Sequence, residues 1–549
     1  MLSLFSFVGF TVLVAVISYL ATRKTNEKTS DGYFLGGRSL TAGVIAGSLL
    51  LTNLSTEQIV GLNGSAYKDG LSVMAWETLA AIAMVITAMF LLPRYLKGGL
   101  TTVPQFLAKR FDVTTKTITS GLFLTGYVVV LLPVILYSGS VALSGMFDVP
   151  TLLGVSSTSA IVICIWGIGI IGSIYAVFGG LKAVAVSDSI NAIGLMVGGI
   201  LIPIFGLMAI GDGTVLNGLD VLMTANPERF DSTGNHGQEV PFATIFTGMM
   251  LVQLFYWGTN QQIIQRALGA KNLAEGQKGL LLASFIKILG PLILVLPGMI
   301  AYYYFDGGLT SSDLAYPELV RAVLPKPLIG FFAAVLFGAI LSSFNSVLNS
   351  SVTLFGIDIY KQHINTEAEE KTVVKYGKFF GICLAIGAMF IAPLIANAGS
   401  LFNYLQQING IYSIPIFTII VVGYLTKRVP AIAAKIGIIS GSLLYIISQF
   451  WIGPNRVTSA LEKAKASGVT DSEALRIIEA DAYPHFLHIM AILFILNIVI
   501  MLLIGKFYPR KEPFVQEYTK QVEITPWKHT RIVGLCICII VIGIYIYFS

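Results

Sequence analysis

Apolar stretches of about 20 residues recur along the whole chain, each closed by a short polar segment. A stretch of that length forms a helix long enough to cross the roughly 30 Å hydrocarbon core of a bilayer. Reading the apolar runs between polar punctuation predicts an all-α polytopic membrane protein with about 14 transmembrane helices, the first over Leu2–Ala21 and the last centred near residue 540. The first run has no charged n-region and no evident small-residue cleavage site, so it is expected to be a retained span. The longest polar loops are Gly211–Val240 and Gly453–Tyr483, and the second contains a helix-like stretch, Thr458–Ile478.

Composition agrees with a lipid solvent. Of 549 residues, 55% are hydrophobic and only 12% charged, and the mean hydropathy is +0.79, so a water-soluble globule of this length would lack polar surface. The net charge of +6 is explained by where the cations fall. With the first span starting outside, 26 of the 35 Lys and Arg lie in loops on the cytoplasmic side, 8 lie outside, and Lys287 lies within a span. That bias predicts a multi-pass protein of the plasma (bacterial inner) membrane with both termini extracytoplasmic, and it requires no nucleic-acid partner. Cys164, Cys383, Cys536 and Cys538 lie inside apolar segments without paired spacing and read as buried packing residues. The five histidines fall in loops or at helix ends, which gives no triad or metal cluster and argues against an enzyme.

Polar residues placed at mid-membrane carry the functional signal. The second span holds Thr52-Asn53-Leu54-Ser55-Thr56-Glu57-Gln58, six polar residues in seven. Such side chains cost a few kcal/mol each at the bilayer centre and normally face a cavity or a substrate path. A helix broken here would free backbone carbonyls for an ion or substrate; the competing reading, polar glue between helices, needs fewer such residues. The ninth span carries Ser342-Ser343-Phe344-Asn345-Ser346 and continues to Asn349 and Ser350. These oxygens suit a hard cation such as sodium, and the small residues equally suit close helix packing; pairing with the broken second span favours the ion. Glu77 in the third span, Lys287 in the eighth, and Gln406 with Gln407 in the eleventh could pair with one another or offer donors and acceptors to a polyhydroxylated ligand. Tyr256 and Trp257 add flat faces that could stack on a sugar ring or simply pack.

At these residues the chain resembles the sodium/solute symporter family, and within it the sodium/glucose (galactose) cotransporter branch, nearly end to end. The resemblance is carried by Asn53-Leu54-Ser55-Thr56-Glu57-Gln58, Tyr256-Trp257-Gly258, Ile264-Gln265-Arg266, Ala274-Glu275-Gly276-Gln277-Lys278-Gly279, Leu296-Pro297-Gly298, Leu341-Ser342-Ser343 and Asp358-Ile359-Tyr360. It implies a ten-helix inverted-repeat core with broken helices: an extra N-terminal helix and cytoplasmic loop over 1–40, a first five-helix repeat over 41–210, an external loop over 211–241, a second repeat over 242–426, and three additional helices with an external loop over 427–549. It also implies Na+ as the coupling ion, held by the carbonyls of Leu51, Leu54 and Ala339 and the hydroxyls of Ser342 and Ser343. The sugar would sit among Gln58, Glu77, Lys287 and Gln406, with Asn53 and Gln253 nearby and Tyr256 as a thin gate. Asp188 resembles an aspartate on the sodium exit route.

Three positions depart from the galactose branch. Gln253 replaces an asparagine, Leu62 replaces a methionine, and Asn345 stands where two-sodium members carry a hydroxyl, so that with Ser346 and Asp188 it could build a second sodium site. The expected activity is sodium-coupled symport of a neutral hexose by alternating access. The alternatives are symport of a polyol, amino acid, vitamin or organic acid, and a sugar sensor that does not transport. A carboxylate ligand would need an uncompensated cation, which Lys287 supplies only if Glu77 does not neutralise it. A sensor would need a signalling domain, for which the roughly 25 residues between the last two spans give little room.

Overall fold

A computed structural model describes residues 7–9, 11–14, 16–17, 20, 34–397 and 401–549. The described residues are helical with no strand, and one isolated parallel bridge joins Leu40 to Ala270. In chain order the helices that build the body are α1 (Ala42–Asn53), α2 (Thr56–Asp69), α3 (Ala75–Ile86), α4 (Val113–Gly126), α5 (Leu132–Phe147), α6 (Ser157–Ile210), α7 (Met250–Gly258), α8 (Gln261–Leu268), α9 (Leu273–Lys287) and α10 (Leu296–Tyr304). They continue with α11 (Lys326–Thr353), α12 (Glu370–Ile391), α13 (Leu401–Leu425), α14 (Ala431–Ile447), α15 (Gly453–Ala466), α16 (Ser472–Ala482), α17 (Phe486–Phe507) and α18 (Thr530–Tyr547).

Among the described residues, ten helical segments are long and apolar enough to cross a membrane, or 12 when two bent pairs are each taken as one span. The count of 14 expected from the sequence differs for two physical reasons. The continuous run Thr56–Lys97 is 42 residues long, about 63 Å at 1.5 Å per residue and twice the bilayer core. It reverses at Gly70, whose φ of 74° suits glycine, so α2 joins the short α1 as one broken span and α3 begins another. The first expected span, Leu2–Ala21, falls largely outside the described residues.

Lipid as solvent also explains the surface. Ile193, Phe390, Ile495 and Ile542 point outward and are exposed, as hydrocarbon permits. The same physics corrects the reading of the cysteines: Cys383 and Cys536 are exposed, and Cys164 and Cys538 half-exposed. An apolar neighbourhood in a membrane helix does not imply a place in the core.

One face bears both long loops. Helix α15 and helix α16 form there from the Gly453–Tyr483 loop, in which one helix-like stretch was expected and two helices occur. The opposite, Lys/Arg-rich face is closed by main-chain ties. The Leu40 amide donates to the Gly269 carbonyl (3.1 Å), and the Lys271 amide donates to Leu40 (3.1 Å). Segment 508–529 then straps across this face, with Thr519 bonded to Lys97 (3.1 Å), Phe514 to Lys427 (2.9 Å) and Leu273 to Glu523 (2.9 Å).

At the same face Asp112 caps α4, accepting from the Thr115 amide (2.8 Å) and pairing with Lys435 (2.8 Å). Partial desolvation pushes its carboxyl up, but these contacts outweigh it and hold the pKa below 3.8. The stabilisation is therefore present above that pH and lost as pH falls below it.

Arg110 fixes the end of α13. It is fully buried and donates to the carbonyls of Gly423 (2.9 Å), Val429 (3.0 Å) and Thr426 (3.1 Å). Burial, then Arg510, pulls its pKa down to about 10, so it is charged at neutral pH. Here the cation meets helix-end carbonyls, where the helix dipole is negative. Arg110→Ala is expected to cost about 3 kcal/mol through acceptors left unpaired. A drop in the thermal midpoint of purified protein, largely recovered by Arg110→Lys, checks this.

Candidate functional site

The polar run of the second span does break its helix. Leu54 (ψ 56°) and Ser55 (φ −81°, ψ 170°) leave helical geometry between α1 and α2. The Ser55 amide donates to the Asn53 carbonyl (2.7 Å), so the Leu51 carbonyl loses the partner that a continuous helix would supply. The Leu54 carbonyl precedes the cap of α2 and likewise lies outside the helical ladder. On the facing helix, the Ser343 hydroxyl donates to the Thr52 carbonyl (3.3 Å), and the Ser346 hydroxyl meets the Thr52 hydroxyl (3.1 Å). The structure thus brings Ser343 and Ser346 against the break that contains Leu51 and Leu54. Ser342 and Ala339 are buried on the same helix. Because α11 is uninterrupted at Ala339, that carbonyl can offer only its second lone pair.

A second break lies between α7 and α8, which meet at 47°. The amides of Thr259 and Asn260 both reach the Phe255 carbonyl (2.8 and 2.9 Å), while the Asn260 side chain accepts from the Gln262 amide (3.1 Å) and the Tyr127 hydroxyl (2.6 Å). A third bend, of 50°, separates α9 from the segment Gly290–Tyr304.

Lys287 is the last residue of α9 and sits at this third bend. Its ammonium pairs with the Glu77 carboxylate, and each side chain is only 1% exposed. The pair neutralises both charges, and the position at a helix C-terminus favours the cation. Trp257 lies beneath the ammonium at 5.8 Å. Gly290 packs its backbone against Glu77 with no room for a Cβ. Gly290→Ala is therefore expected to push Glu77 aside at a cost of about 1–3 kcal/mol, which a lower thermal midpoint of the purified protein would show.

Gln253 is buried with both ends of its amide in use: its NH2 donates to the Trp76 carbonyl (2.8 Å), and its oxygen accepts from the Trp257 indole (3.1 Å). It shapes the wall beside Lys287, with one N–H and one oxygen lone pair already engaged. Asn53 is buried, whereas Gln58, Tyr256 and Gln406 are half-buried. Among the described residues no side-chain hydrogen bond joins Gln58 or Gln406 to the ion pair.

A cavity of about 1050 Å³ opens on the loop-bearing face, lined by Lys68, His236, Gln407, Arg476, His485 and His488 among others. It reaches the neighbour of Gln406, while the Lys287–Glu77 pair lies outside its lining. His236 thus shares a cavity with His485 and His488, although among the described residues no group of His, Cys, Asp and Glu is placed to hold a metal.

Arg266, counted in the sequence among the loop cations and given no role there, is drawn into the interior beside the first break. It is fully buried and donates through Nε to Ser48 (3.2 Å), through one terminal nitrogen to the Gln262 carbonyl, and through the other to Ser346. The Asp188 carboxylate stands 4.0 Å away and accepts from Ser48 (2.7 Å). The signal that could have found it is the second break: α8 is short, and all eight of its residues are buried.

Comparison with known proteins agrees with this geometry. The model of the sodium:solute symporter family matches residues 33–441. The chain is 45% identical over 545 residues to an uncharacterized symporter, YidK, of Escherichia coli strain K12, covering 99% of this chain and 90% of that protein. It is 32% identical to a sodium/glucose cotransporter of Vibrio parahaemolyticus (82% and 86% covered) and 29% identical to the human sodium/myo-inositol cotransporter 2 (79% and 68%). Among solved structures, a substrate-bound, outward-open Na+-coupled sialic acid symporter superposes with a TM-score of 0.70 at 18% identity, covering 93% of this chain and 99% of that one.

Proposed function

The chain belongs to the sodium:solute symporter family, and from that premise we propose that it carries a neutral sugar or closely related polyol across the membrane, driven by sodium. The observation that carries the reading is the buried Lys287–Glu77 pair at the bend of α9. Its charges cancel, so it offers donors and acceptors without a net charge for a carboxylate ligand to neutralise. Relatives named for glucose and myo-inositol, both neutral polyols, support it.

Sodium binds at the break between α1 and α2, held by the freed carbonyls of Leu51 and Leu54, the second lone pair of Ala339, and the hydroxyls of Ser342 and Ser343. The sugar sits between Lys287–Glu77 and the half-buried Gln58 and Gln406, with Asn53 beside it and Tyr256 as the gate. The cavity on the loop-bearing face is the external entrance and the strapped Lys/Arg-rich face is cytoplasmic, with both termini read as extracytoplasmic from the distribution of Lys and Arg along the sequence. The interrupted spans 42–69 and 242–268 each begin one five-helix unit, over 41–210 and 242–426, as paired repeats require.

Sodium at the first break orders α2, which carries Gln58, and so couples the two ligands. By linkage, each raises the affinity for the other. Titrating galactose into purified protein by calorimetry should give binding about tenfold tighter in sodium than in potassium, a coupling of about 1.4 kcal/mol. Equal affinity in both salts would refute the coupling.

A further inference from the structure

We propose that the helical hairpin α15–α16 is a hinged lid on the outer cavity, moored by Arg476 to the end of α2, so that its position is coupled to the broken span that holds sodium. The coupling rests on the sodium-symport reading; the lid itself goes beyond it.

The hairpin continues α14 and α17 on the loop-bearing face. Each of its helices turns one side to the cavity: Pro454, Val457 and Thr458 on α15, and Arg476, Glu479 and Ala480 on α16, spacings of three and four that fall on one helical face. Apolar packing holds it weakly. Among the described residues, α16 has no buried member and α15 only Gly453, and an element with so few buried contacts opens at low free-energy cost.

Polar ties do the holding. Arg476 donates through Nε to the Gly237 carbonyl (2.8 Å) and through a terminal nitrogen to the Asp69 carboxylate. His236 meets Asp481 at 2.9 Å, with both side chains exposed. Asp69 is the last residue of α2, and its side chain is fully buried; its second oxygen accepts from the Glu239 amide (2.7 Å). Arg229 donates to the neighbouring carbonyls of Ala66 (3.1 Å) and Tyr67 (2.5 Å). Two external arginines thus clasp the negative end of the α2 dipole. The same 14-residue helix begins at the sodium-site break, about 21 Å away along its axis.

The base of the hairpin has two places to bend. The chain enters α15 at Gly453-Pro454 and leaves α16 at Tyr483-Pro484, where Tyr483 is extended (φ −152°, ψ 141°). The Tyr483 and Ser448 hydroxyls meet at 2.7 Å and keep the two bends together. Sodium that orders α2 fixes Asp69 in place, which strengthens the mooring and holds the lid down.

The test places a reporter, Gln407→Cys, on the cavity wall of the purified full-length chain. Its reaction rate with a membrane-impermeant maleimide is measured in sodium and in potassium, less the rate of the chain without that cysteine. Sodium is expected to slow labelling several-fold. Arg476→Ala with Asp69→Asn, which cuts the mooring without stranding a buried charge, should speed labelling about tenfold and abolish the difference between the salts. His236→Ala removes only an exposed tie, so it keeps the test open should the double variant fail to fold; about a twofold rise is expected. Unchanged labelling in folded variants would overturn the lid. Faster labelling in the variants with no sodium effect before the mooring is cut would overturn its coupling to α2. Calorimetry in the two salts on the chain with its mooring intact judges the symport reading separately.

Discussion

Lys287→Ala is expected to lower sodium-driven galactose uptake by about 100-fold or more. A hydrogen bond from a charged donor contributes about 1.5–3 kcal/mol, and each 1.4 kcal/mol is a factor of ten. The substitution removes the ammonium and also strands the Glu77 carboxylate, which is 1% exposed. A buried charge without its partner costs about 3–5 kcal/mol, so the single variant is also expected to be less stable. Folding and function separate in the double variant Lys287→Met with Glu77→Gln. Removing both charges should restore the thermal midpoint and leave uptake low. Recovery of uptake together with stability would show that the pair is only structural.

Ser343→Ala should act on sodium first. The hydroxyl reaches the Thr52 carbonyl across the break (3.3 Å), so it pins α11 to the broken span, and in the proposed site it supplies an oxygen to the ion. Losing one ligand of about 1.4 kcal/mol raises the sodium concentration for half-maximal uptake about tenfold, and saturating sodium should recover most of the maximal rate. The two variants are thus expected to differ in kind. Lys287→Ala changes the response to sugar at every sodium concentration; Ser343→Ala changes the response to sodium. An unaltered sodium dependence in Ser343→Ala would remove that hydroxyl from the ion site.

Much of this architecture is legible in the sequence because the bilayer penalises polar groups so heavily. Six polar residues in seven at Thr52–Gln58 favoured a break over polar glue between helices, and the break is there. Lys287 and Glu77, on different spans, had few affordable partners, and they found each other. Arg266 was harder to read because it closes the mostly polar stretch Thr259–Gln265 and looks like a loop cation. Only the 47° bend of α7 against α8 turns it inward. Gln253 was expected near the ligand, and its amide bonds to the Trp76 carbonyl and the Trp257 indole. That pairing depends on a main-chain carbonyl of another helix, and no spacing rule encodes it. The cysteines misled for the opposite reason, since apolar segments in lipid carry an outer surface that needs no burial.

The most direct test of the central claim is accumulation of radiolabelled galactose, glucose and myo-inositol in proteoliposomes under an inward sodium gradient, against a potassium gradient of equal ionic strength. The account predicts that at least one of them concentrates above equilibrium in sodium alone and drains when the gradient is collapsed. Equal entry in potassium, or no sodium-driven accumulation of any of the three, would contradict it.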